Sequence, residues 1–83
     1  MLFLVKQVHT PDLCPKGKGG TGTLYDATAP GVKLDRVLGD FAGHTVYYIL
    51  EAEWIEDVQK FLAPGWMICT SEVVPVSETP IGE

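Results

Sequence analysis

Hydrophobic and polar positions along the chain switch between two periods. Leu2 to His9 opens with LFLV, apolar on both faces, then alternates weakly through Lys6, Gln7 and Val8. A run apolar on both sides predicts a central strand covered above and below. Thr45 to Ala52, TVYYILEA, is the clearest strand, dominated by β-branched and aromatic residues. Its alternate side chains fall into two sets: Val46, Tyr48, Leu50 and Ala52, and Thr45, Tyr47, Ile49 and Glu51. Between them, Val32, Leu34, Val37 and Phe41 predict another strand, second in chain order, with an irregularity near Gly39, and Ala42-Gly43-His44 a turn. Glu53 to Leu62 has the helical period, with Trp54, Ile55, Val58, Phe61 and Leu62 on one face. Pro64-Gly65 ends it, and Trp66 to Val76, WMICTSEVVPV, reads as a last strand whose Pro75 marks an edge.

The segment between the first two strands is weaker. Thr10 and Pro11 suit the start of one helical turn, which Pro15 stops at Cys14. Thr23 to Ala29 predicts about two helical turns, with Thr23 and Asp26 in a capping-box spacing and Leu24 and Ala27 facing inward. Pro30-Gly31 closes that segment. The order is therefore strand, short helix, strand, strand, helix, strand. This is the βαββαβ pattern of an α+β, ferredoxin-like fold, with a four-stranded antiparallel or mixed sheet ordered 4-1-3-2. The first and third strands are central and are expected to run parallel. Residues 1–76 form the single domain and 77–83 a C-terminal tail.

Composition narrows the function. The chain has 83 residues, with 6 basic against 11 acidic side chains and a net charge of −5. Phosphate neutralisation needs clustered Lys and Arg, so nucleic acid is not an expected partner. No stretch approaches the ~18 apolar residues of a membrane helix, and the apolar start lacks the basic lead of a signal peptide. A cytoplasmic protein with reduced thiols is expected, since Cys14 and Cys69 are the only 2 cysteines. Hydrophobic residues make up 46% of this short chain. A small core cannot easily hide them all, which leads to the expectation of a homodimer formed through the sheet face.

"HTPDLCP", "GHTVYYILEAE" and the closing "EVVPV" resemble a poorly characterised bacterial branch of the small dimeric α+β barrel proteins, whose ferredoxin-like subunits pack sheet to sheet. The likeness runs from Leu2 to about Val76. Between Cys14 and Val32 the chain is shorter and richer in glycine than the first helix of such proteins. The superfamily holds isomerases, small monooxygenases and heme-degrading enzymes, so the resemblance implies a fold and a range of activities without choosing one.

Candidate chemistry rests on few residues. Gly17 to Gly22 matches G-x-G-x-x-G, but no strand feeds it directly and no helix opens within it, so a flexible loop is the expected reading. Parallel central strands would bring His9 to the same sheet edge as Glu51 and Glu53. His9 would then be a general base, with Glu51 orienting it. Ordinary solvated or core roles are the competing reading for each residue. Cys14 follows on that edge, so any metal set would be His9, Cys14 and Glu51. His44 would lie at the other edge, roughly 20–25 Å away at ~3.3 Å per residue, and could join His9 only across two chains. Tyr48, Trp54 and Trp66 are candidates to line an apolar ligand pocket, though such aromatics more often fill a core; Cys69 reads as a small buried hydrophobe.

Three functions follow. The first is a dimeric domain binding a small apolar ligand or a partner. The second is a cofactor-free isomerase or monooxygenase-type enzyme. The third is a metal-binding protein. No cofactor is expected.

Overall fold

Side-chain alternation in the central strands decides which residues can meet. The computed structural model of the protein describes residues 1–81, and the last two residues of the expected tail lie outside them. Strands β1 (Leu2–His9), β2 (Val32–Asp40), β3 (Thr45–Ala52) and β4 (Cys69–Val76) form one sheet in the order β2-β3-β1-β4. Helix α1 (Ile55–Leu62) is the single α-helix among the described residues. This is a small α+β domain, compatible with a ferredoxin-like fold. None of its described helices is long and apolar enough to cross a membrane.

The expected parallel pairing of β1 and β3 is not found. They run antiparallel, with Leu2 opposite Glu51 and Val8 opposite Thr45. Connectivity explains this. β2 and β3 are joined by the short turn Phe41–His44, which can only reverse the chain. The two long crossovers carry β1 to β2 and β3 to β4, past one strand each. β3, lying between β1 and β2, therefore opposes both. Every neighbouring pair in the sheet is antiparallel.

On the covered face lie Phe3, Val5 and Gln7 of β1 and Val46, Tyr48 and Leu50 of β3, all buried. Val58, Phe61 and Leu62 of α1 pack into the same core. Trp54 and Ile55, expected on that helical face, are exposed: Trp54 is the N-cap, outside the helix, and Ile55 is its first residue. The Tyr48 hydroxyl donates to Gln7 Oε1 at 2.6 Å, and Gln7 Nε2 donates to the Leu24 carbonyl at 3.2 Å. A buried polar pair thus ties the first crossover to the middle of the sheet, with each group satisfied.

That crossover contains no α-helix. Two short 3-10 turns, Pro11–Leu13 and Thr21–Thr23, replace it. The predicted helix over Thr23 to Ala29 fails because its polar side chains bond locally. Thr23 Oγ1 donates to the Gly20 carbonyl, and the Asp26 carboxylate accepts from both the Thr28 N–H and the Thr28 hydroxyl. Such bonds compete with helical ones. Leu24 is buried as expected, whereas Ala27 is exposed and Ala29 takes the inward position. In β2 the irregularity falls between Leu34 and Arg36 rather than near Gly39. Trp66 to Ile68 form a turn ahead of β4 instead of its first residues.

Candidate metal centre

His9 is the last residue of β1 and shares the covered face with Val5 and Gln7 by strict alternation. His44 immediately precedes β3, one step before Thr45. Antiparallel pairing sets these two positions side by side: the His9 N–H donates to the His44 carbonyl at 3.1 Å. Their rings meet edge to face with centroids 5.3 Å apart. Cys14 arrives from the first crossover, just after the Pro11–Leu13 turn. Pro11 and the N-cap Thr10 fold that turn back toward the sheet edge, although Thr10 makes no side-chain cap bond.

Donor atoms of His9, Cys14 and His44 all lie within 4.8 Å of one another. Two donors on one ion sit about 3.3–3.6 Å apart, given metal–nitrogen bonds of ~2.0 Å and metal–sulfur bonds of ~2.3 Å. Side-chain movements of about 1 Å would close the set. Two imidazoles and a thiol are a borderline-to-soft donor set, suited to zinc or copper rather than to calcium or magnesium.

The histidines are unusually placed. His9 is 7% exposed, and neither ring nitrogen has a hydrogen-bond partner. Nδ1 of His44 is likewise buried and unpartnered. Leaving a buried polar atom unpaired costs about 1–3 kcal/mol. Burial, and secondly the nearness of His44, lowers the proton affinity of His9, so its neutral, ligand-competent form is favoured. His44 also has a left-handed backbone, φ 49°. This conformation is uncommon for a residue with a side chain, though histidine tolerates it better than most. Such strain tends to be retained where a side chain must be aimed.

Beside the cluster is a cavity of about 300 Å³. Pro15, Phe41 and Val46 contribute apolar walls, and Lys16 and Asp40 stand at it as the charged groups. Lys16 Nζ lies 5.0 Å from the Phe41 ring centroid, and Asp40 Oδ1 accepts the Gly43 N–H at 3.0 Å.

The other residues singled out from sequence fall elsewhere. Glu51 pairs with Leu2 and Lys33 at the far end of the sheet, roughly 23 Å from His9 along β1 at ~3.3 Å per residue. It neither orients His9 nor joins a metal set with it. Glu51 and Glu53 flank a shallow depression with Met1 and Lys33. Tyr48 is fully buried in the core, and burial pushes its phenol up. Trp54 and Trp66 are exposed, and none of these three aromatics lines the cavity beside His9. Cys69 faces His9 across the β1–β4 ladder, half-buried, with its thiol pushed up by burial. His44, expected at the opposite edge and able to join His9 only across two chains, lies beside it within one chain. Antiparallel pairing, implied by the short turn before it, is the signal that places it beside His9.

No family model, curated protein or solved structure matches this chain.

Proposed function

We propose that this is a small metal-binding protein that holds one zinc- or copper-class ion on His9, Cys14 and His44. The observation behind this reading is the convergence of three soft or borderline donors within 4.8 Å, two of them imidazoles whose buried nitrogens lack partners. A metal would satisfy one nitrogen of each ring. Cys14 would lose its proton on binding, so uptake would release about one proton per ion near neutral pH.

The test is elemental analysis after mild purification, followed by titration of the metal-free chain with Zn(II), and with Cu(I) under anaerobic conditions. One ion per chain is expected, with binding abolished or weakened at least 100-fold in His9→Ala, Cys14→Ser and His44→Ala. Failure of both ions to bind stoichiometrically, or binding unchanged in all three variants, would refute the assignment.

We further propose that two copies pair through the uncovered face of the sheet, as in the dimeric α+β barrel proteins that the sequence resembles. The alternation that buries Val5 and Tyr48 turns Leu4, Val8, Leu38 and Val74 outward, and all four are exposed. Lys6 and Glu72, opposite one another on β1 and β4, give this face charges of both signs. An apolar, mixed-charge face can complement itself about a two-fold axis.

A further inference from the structure

The metal cluster has three protein donors, and the space beside it is walled mainly by apolar groups. Tetrahedral zinc-class ions complete their coordination with a fourth ligand, and where the protein supplies three, the fourth position is left for water or substrate. Here all three donor residues line one cavity of about 300 Å³, at the small end of pockets that enclose organic ligands.

Charge selects the ligand. A divalent ion with the Cys14 thiolate leaves one net positive charge, and Lys16 at the cavity adds another. Asp40, the sole carboxylate among the lining residues, takes one away, so the site keeps a net positive charge of about one, and one Asp40 oxygen is held by the Gly43 N–H. Shape selects further. Phe41 is exposed and its ring lies under the Lys16 ammonium, while Pro15 and Val46 contribute further apolar wall.

We infer that the cavity takes a small organic acid with a flat apolar body, its carboxylate completing the coordination of the metal and its body lying against Phe41. This rests on the metal-binding reading above. Binding is ligand exchange: the carboxylate oxygen replaces a metal-bound water, which leaves to solvent, and no oxidation state changes. Lys16 supplies charge at the cavity and Phe41 supplies the contact surface.

Cobalt(II) makes both questions visible, because thiolate-to-cobalt charge transfer reports the metal and the ligand-field bands report its fourth ligand. The cobalt-loaded full chain is titrated with benzoate. A saturable, one-to-one change in the ligand-field bands is expected. Lys16→Ala should weaken benzoate about two- to fivefold, the range of an exposed ion pair, and Phe41→Ala should weaken it as well. Ligand-field bands that do not respond to benzoate while the charge-transfer band persists would overturn this inference and leave the metal site standing. Benzoate held equally tightly by the metal-free chain would also overturn it. Absence of any thiolate-to-cobalt band would bring down the metal site and the inference together.

Discussion

The backbone N–H of His9 donates to the carbonyl of His44 at 3.1 Å, so a main-chain bond just beyond the last β1–β3 pair, Val8 opposite Thr45, holds the two imidazoles side by side. His9 ends β1, His44 is the last residue of the turn before β3, and Cys14 comes from the first crossover.

The left-handed backbone at His44 allows its ring and its conformation to be separated. His44→Asn keeps a side chain that accepts positive φ but removes the imidazole. Metal binding should be lost while the thermal midpoint of the metal-free protein changes by no more than a few degrees. His44→Val removes the donor and adds β-branched strain of about 1–3 kcal/mol, so it should unfold at clearly lower denaturant than His44→Asn. Equal midpoints in urea would contradict the role given to this backbone.

Stability of the metal-free protein should fall with acid near neutrality. His9 binds its proton more weakly in the fold, first through burial and then through His44. In the unfolded chain its pKa is ~6.5, so below that value the unfolded state takes up more protons than the folded one. The native state therefore holds its full advantage above about pH 6.5 and loses it as pH falls toward the lower, folded value. Urea unfolding at a series of pH values should show this slope, and His9→Gln should flatten it. A wild-type midpoint that rises on acidification through this range would reverse the predicted sign.

Tyr48 and Gln7 form a buried pair at 2.6 Å. Tyr48→Phe strands the Gln7 oxygen and should cost about 1–3 kcal/mol. Gln7→Leu removes its partner and also frees the Leu24 carbonyl. In a double-mutant cycle the combined variant should lose less than the sum of the two single changes, with a coupling of about 0.5–3 kcal/mol. Strict additivity would show that the pair carries no shared energy.

Gly65 has no room for a side chain. A methyl group there would lie 2.8 Å from Gln7 Nε2 and 2.8 Å from the Leu24 carbonyl oxygen. One of these is backbone, so the strain cannot be relieved by a rotamer change alone. Gly65→Ala should destabilise by about 1–3 kcal/mol, measured by chemical denaturation; a neutral result would mean that the turn after α1 moves freely.

Pairing through the open sheet face predicts a dimer in sedimentation that buries about 1,200 Å² or more in total. Leu4 and Val74 are opposite one another on that face. Leu4→Glu with Val74→Glu should place like charges at its centre and give a folded monomer. A wild-type monomer at micromolar concentration, or a double variant that still sediments as a dimer, would refute the interface.

Much of the fold is legible in the chain. The bounds of β1 and β3 follow from apolar runs, and the inward set Val46, Tyr48 and Leu50 follows from alternation alone. Strand direction is not a local property. It depends on how many reversals separate two segments, and taking β1 and β3 as parallel sends His44 to the wrong edge. The first crossover departs from its expected helix for a different reason: the helical tendency of Thr23 to Ala29 is small, and the Asp26–Thr28 bonds outweigh it. Of the site, His9 and Cys14 stand out by residue type, whereas His44 becomes visible only once β3 is turned around.

The crossover from Thr10 to Gly31 has no α-helix of its own to hold it in place. Its anchors include the Gln7 amide at Leu24 and the Asp26 N–H donated to the Phe61 carbonyl at 2.8 Å, both well downstream of Cys14. An ion shared by Cys14 and the two histidines would act as a clasp at the upstream end, buckling the loose strap of backbone onto the sheet. Proteases should then cut the glycine-rich stretch after Pro15 far more slowly once the clasp is shut.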